Sequence, residues 1–104
     1  MGFELKGRIT QIFPEMEVRA GFLKREFVVE YAENPKYPQL LKLETIQDRC
    51  SQLDLFQVGD EVEVQFNLKG REWVNPKGEK VYFNTIEAWK INPLHKKQES
   101  FQPP

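Results

Sequence analysis

Apolar residues recur along this chain with a period of two rather than 3.6, the mark of strands that bury one face. In the first segment Phe3, Leu5, Gly7, Ile9, Gln11 and Phe13 alternate with Glu4, Lys6, Arg8, Thr10 and Ile12. Gly7 falls in mid-strand, which predicts a sharp bend or a bulge, and Pro14 ends the run. Residues 15–21 read as a loop. A second strand spans 22–31, with Leu23, Arg25, Phe27, Val29 and Tyr31 on one face, and its unbroken Phe27-Val28-Val29 stretch predicts a middle strand. Glu33-Asn34-Pro35-Lys36-Tyr37-Pro38 is a turn cluster, and a short third strand follows over 40–45. Ile46, Cys50, Leu53 and Phe56 return at helical spacing, which predicts a short amphipathic helix over 46–56. Val58-Gly59-Asp60 turns the chain into the cleanest alternation, which places Val62, Val64, Phe66 and Leu68 inward. That strand extends towards Trp73. Asn75-Pro76-Lys77-Gly78 then supplies the fixed φ of proline and the permissive glycine of a tight turn. A last strand covers 80–91, and Pro93 stops it.

The order strand, strand, strand, helix, strand, strand predicts an all-β fold. It is that of the five-stranded Greek-key OB barrel, with one short helix between the third and fourth strands. Closure removes the exposed edges that invite aggregation. The chain has 104 residues, enough for one domain. Residues 1–93 are assigned to the barrel and 94–104 to a polar, flexible C-terminal tail. Charges interrupt the N-terminus at once, which excludes a signal peptide, and no apolar run is long enough to span a bilayer. The single cysteine, Cys50, precludes an intrachain disulfide. The expectation is a cytoplasmic protein with no membrane partner.

Net charge is −1, which argues against the basic excess of a strong, non-specific nucleic-acid binder. The distribution changes the picture. Residues 1–68 carry −4 and residues 69–104 carry +3, so a mild basic bias sits in the C-terminal third.

Several stretches are also familiar as a set: Phe-Glu-Leu-Lys-Gly-Arg-Ile at 3–9, Arg25-Glu26-Phe27-Val28-Val29-Glu30, Phe56-Gln57-Val58-Gly59-Asp60-Glu61-Val62, Asn67-Leu68-Lys69-Gly70-Arg71-Glu72-Trp73 and Ala88-Trp89-Lys90-Ile91. Over residues 2–92 the chain resembles a small bacterial OB-fold domain family of uncharacterised function, similar to single-stranded DNA-binding proteins. The bacterial single-strand-binding protein also has a Gly-Arg-x-aromatic run, a glycine-containing turn and an aromatic-rich last strand. Here these are Gly70-Arg71-Glu72-Trp73, Gly78 and Tyr82-Phe83. The sequence departs from that protein in having no long linker or acidic, Phe-terminated tail, and in a short, partly acidic first loop (Glu15, Glu17).

Unpaired bases are held by stacking on aromatic rings while cations follow the phosphates. Trp73, Tyr82, Phe83 and Trp89, interleaved with Arg71, Lys77 and Lys80, suit that chemistry. Strict alternation allows only one of Tyr82 and Phe83 to face a ligand. On the second strand Phe22, Lys24 and Arg25 are candidates, because the OB binding face centres on the second and third strands. The expected function is non-catalytic binding of single-stranded nucleic acid, DNA ahead of RNA, with little sequence preference. The alternative is an OB-fold protein–protein adaptor module, since exposed aromatics among mixed charges also suit an interface. Self-association into a homo-oligomer fits either reading.

Catalysis has little support. His95 is the only histidine and lies beyond the barrel, and Cys50 sits on the apolar stripe of the predicted helix. There is no Cys/His cluster for a metal and no glycine-rich phosphate loop, so neither cofactor nor metal is expected.

Overall fold

The computed structural model describes residues 2–31 and 35–94. His95 and the rest of the tail lie outside them, as do Glu33 and Asn34 of the turn cluster. Six strands and one 3₁₀ helix follow in order: β1 Phe3–Ile12, β2 Met16–Arg19, β3 Phe22–Tyr31, β4 Gln39–Ile46, the helix Gln47–Leu55, β5 Glu61–Val74 and β6 Lys80–Pro93. Around the sheet the strands run β1-β5-β6-β4-β3, and β1 pairs again with β3, which closes a five-stranded barrel with OB topology. β2 is an extra strand laid on β3.

Closure depends on β1 serving two partners. Its first half, Phe3 to Arg8, pairs with β5, and its second half, Arg8 to Ile12, pairs with β3. The handover falls at Arg8, and the close approach is at Gly7 beside it. A Cβ there would lie 2.5 Å from the Glu30 carbonyl oxygen and 2.6 Å from Val29 Cγ1. Glycine is therefore needed because two backbones cross at less than a side chain's width. The bulge sits beyond it, between Ile9 and Gln11.

The core is Leu5, Ile9, Phe27, Val29, Leu43, Leu53, Phe56, Val62, Val64, Ala88 and Ile91. The helix caps one end. Its predicted α-helical stripe is a 3₁₀ stripe instead: Cys50, Leu53 and Phe56 recur every third residue, the period of a 3₁₀ turn. Gln52 ties the helix to β6, its Nε2 donating to the Trp89 carbonyl (3.2 Å) and its Oε1 accepting from the Ile91 N–H (2.9 Å). Burial pushes the Cys50 thiol pKa up, and the thiol donates to the Thr45 carbonyl at 3.5 Å. This is an unreactive environment.

Two sequence expectations are corrected here. Residues 15–21 are not simply a loop, because Met16–Arg19 forms β2, joined to β3 by a two-residue turn at Ala20-Gly21. Gly21 has φ +75 in that turn, and its N–H donates to Glu17 Oε2 at 2.8 Å. Leu68 is exposed, not inward. It keeps the parity of Val62 and Val64, but β1 pairs with β5 only as far as Phe66, so Leu68 has passed the barrel rim.

Beyond Phe66 the β5–β6 hairpin continues as a two-stranded arm, in register from Asn67↔Glu87 to Val74↔Lys80. Its tip is fastened by Asn75, whose Oδ1 accepts from the N–H of Lys77 (3.0 Å) and of Glu79 (2.9 Å), while its Nδ2 donates to Glu79 Oε1 (3.0 Å). Gly78 takes φ +84. Asn75→Ala is expected to fray the tip while lowering global stability by no more than about 1 kcal/mol, because the lost bonds are solvent-exposed. Amide exchange should quicken at Lys77 and Glu79 and stay unchanged at Phe27 and Val64.

Candidate nucleic-acid interface

The outward faces of β3 and β4, with the arm rising beside them, enclose a groove of about 1030 Å³. Strand parity decides what lines it. Phe27, Val29, Leu43 and Thr45 point into the barrel, so Phe22, Lys24 and Glu26 on β3 and Lys42 and Glu44 on β4 point out. β4 and β6 meet through one parallel bridge, Glu44↔Glu87, and this seam is the groove floor. The Lys69, Arg71, Phe83 and Thr85 side of the arm forms one wall. Val18 and Phe22, on the β2–β3 hairpin, form the other.

Each wall carries an aromatic ring under an arginine. Arg19 lies over Phe22 with its guanidinium carbon 4.9 Å from the ring centroid, and Arg71 over Phe83 at 5.2 Å. Trp73 extends the second wall, tilted at 56° to Phe83 with centroids 6.5 Å apart. Trp73 is 46% exposed and Phe83 45%. Such stacks hold the guanidinium without removing its charge.

The lysines in the groove are compensated. Lys24 contacts Glu26 (3.6 Å) and Glu44 (3.4 Å), Lys42 contacts Glu26 (3.7 Å), and Lys69 contacts Glu87 (2.9 Å). Arg19, Arg71 and Lys77 make no ion pair among the described residues. The uncompensated positive charge is therefore on the rim and the arm, not on the floor.

Of the residues singled out from sequence, Phe22, Lys24, Arg71 and Phe83 line the groove, and Trp73 lies against Phe83 beside it. Tyr82 is 65% exposed on the opposite side of the arm, opposite Glu72 in the ladder. Lys77 stands at the arm tip, and Lys80 pairs with Glu72 at 3.8 Å. Besides Tyr82, Lys77 and Lys80, two residues of the barrel itself are not brought in. Arg25 is structural: its Nε donates to the Phe13 carbonyl (2.9 Å) and its Nη1 to Asp54 (2.8 Å), tying β3 to the helix. Trp89 is half-buried beside Gly2, at the extra residue where β6 bulges against Gln65 and Phe66. Sequence reasoning missed Val18, Arg19, Lys42 and Lys69. The alternation Met16-Glu17-Val18-Arg19 before Ala20-Gly21 was the available signal for the first two.

On the far side of the barrel Glu4 and Glu63 share a hydrogen bond on the wet face of β1 and β5. This bond and the neighbouring charge of Glu63 raise the Glu4 pKa. Among the described residues there is no group of three or more His, Cys, Asp or Glu side chains able to hold a metal ion, and no helix is long and apolar enough to cross a membrane.

A family model described as a domain of unknown function, DUF3127, matches residues 4–92. No curated protein matches the sequence. Among solved structures, the crystal structure of Rim1, a mitochondrial single-stranded DNA binding protein from S. cerevisiae, is similar at a TM-score of 0.70 and 16% identity, covering 90% of this chain and 94% of that chain. A selenomethionine-labelled crystal structure of the same protein gives the same values. At that identity the likeness is one of fold.

Proposed function

The chain belongs to the DUF3127 family, and from its groove we propose that it binds single-stranded nucleic acid without catalysing a reaction, DNA in preference to RNA. The observation that carries this is the pair of arginine-capped rings, Phe22 and Phe83, on opposite walls of one groove, with Trp73 beside the second. Flat rings stack on the faces of unpaired bases, which a duplex hides, and contribute about 1–3 kcal/mol per base. Arg19, Arg71 and Lys77 reach the phosphates from the rim. The likeness of fold to a single-stranded DNA binding protein supports the same reading, as does the place of the groove on the OB face between its flanking loops.

A net charge of −1 keeps the affinity modest. Titrating the protein with oligo-thymidine at two salt concentrations is expected to quench tryptophan fluorescence through Trp73. Log affinity should fall by about 0.7 per phosphate neutralised for each tenfold rise in salt, so three rim cations give a slope of about −2. A flat signal at low salt rejects the proposal. Binding of an unrelated protein without any response to oligonucleotides would favour an adaptor role instead.

A further inference from the structure

We infer that Arg19 and Arg71 are covers on the rings that bases stack on, each drawn off by a phosphate, so that the groove favours bases on a charged backbone over uncharged flat ligands; this rests on the proposed nucleic-acid binding. The two guanidinium carbons lie 4.9 Å from the Phe22 centroid and 5.2 Å from the Phe83 centroid. Those separations fall within the range of stacked rings, so each guanidinium occupies the place of a base. Phe22 is half-buried and Trp73 leans on Phe83, so the arginines cover ring surface that the phenyl groups would otherwise offer.

Little else holds the two arginines. Among the described residues neither guanidinium makes a hydrogen bond or an ion pair. The carboxylates of the groove floor do not draw them away, because each already has a cation. Glu26 takes Lys24 at 3.6 Å and Lys42 at 3.7 Å, Glu44 takes Lys24 at 3.4 Å, and Glu87 takes Lys69 at 2.9 Å.

Magnitudes decide what displaces them. An exposed guanidinium–ring contact corresponds to about a two- to fivefold preference, and a stacked base to about 5- to 150-fold, so a base takes the ring. An uncharged flat ligand gives up that two- to fivefold at each ring it uncovers. A nucleotide regains it, because its own phosphate accepts charge-assisted hydrogen bonds from the released guanidinium. Stacking alone is tolerant of what is stacked; the covers add a demand for negative charge next to the flat group, and the demand multiplies over two rings.

The test titrates tryptophan fluorescence with two oligo-thymidines of equal length, one with ordinary phosphates and one with uncharged methylphosphonate linkages. Arg71→Ala is expected to tighten binding of the uncharged oligomer about two- to fivefold, and Arg19→Ala combined with Arg71→Ala about 4- to 25-fold. The same changes should weaken binding of the phosphate oligomer and reduce its salt slope by about 0.7 per arginine. Lys80→Ala removes an arm cation that pairs with Glu72 at 3.8 Å and covers no ring, so binding of the uncharged oligomer should stay as it was. An arginine that only neutralises phosphate would leave the uncharged oligomer unaffected by its removal, and one that is itself the stacking surface would weaken both oligomers when removed. Either result, or equal tightening by Lys80→Ala, overturns the inference and leaves the proposed function standing. Absence of binding of the phosphate oligomer to the unaltered protein at low salt overturns the two together.

Discussion

Gly7→Ala is expected to destabilise the barrel by about 2 kcal/mol, within the range for overpacking a close-packed site. The new methyl would lie 2.5 Å from the Glu30 carbonyl oxygen and 2.6 Å from Val29 Cγ1. The first of these is backbone, so the clash cannot be relieved by turning a side chain. β1 would have to separate from β3 at the point where the barrel closes. For a domain of this size, the expected fall in Tm is on the order of 10 °C. Gly70→Ala is the matched control. Its nearest neighbour would be the Asn84 Oδ1 atom at 3.1 Å, on a side chain that can move, so Tm should shift by no more than about 2 °C. Calorimetry on the two variants separates a packing requirement from a general intolerance of substituted glycines. Equal Tm values would refute the crossing argument.

Phe83→Ala is expected to weaken oligo-thymidine binding by about 5- to 150-fold, the equivalent of one lost stacking platform. The change also removes the surface on which Arg71 rests at 5.2 Å and the ring against which Trp73 tilts, so the upper part of that range is the more natural outcome. The barrel should stay folded, because Phe83 is half-exposed on the arm and outside the core. Tyr82→Ala discriminates. Tyr82 is the more exposed ring, at 65%, but faces away from the groove, and its loss should change affinity less than twofold. An isotherm series in which Tyr82→Ala does more damage than Phe83→Ala would place the ligand on the wrong side of the arm.

The order of the five barrel strands was legible in the sequence because each carries its own alternation, whereas the four-residue β2 was too short to show one. Pro14, Asn75-Pro76-Lys77-Gly78 and Pro93 are local signals, and the structure uses each of them. What was not legible depends on distance across the barrel. Alternation put Leu68 on the inner face correctly as a matter of parity, but nothing in β5 says where β1 stops pairing with it. A glycine in mid-strand gave a bend or bulge for Gly7, whereas the cause is the backbone of Glu30, with the Val29 side chain, on a second strand.

The candidate site was legible only in part. The arm residues Arg71, Trp73 and Phe83 come from one hairpin, so sequence proximity already grouped them. The opposing wall, Arg19 and Phe22, lies about fifty residues away in sequence, and only the fold brings it across. Arg25 shows the reverse. The same alternation that grouped it with Phe27 and Val29 also turns it away from the outward face that carries Lys24, and its bonds to Phe13 and Asp54 use its guanidinium structurally.

Outside the barrel, the β5–β6 arm has no third strand along either border from Leu68 to Val74 or from Lys80 to Ile86 among the described residues. A ribbon in that state opens by local fluctuation, separately from the cooperative unit that holds the core. Grip and scaffold therefore answer to different selective thresholds. The arm can drift in length and side chains, altering what the groove holds, while the stability of the barrel remains where it was.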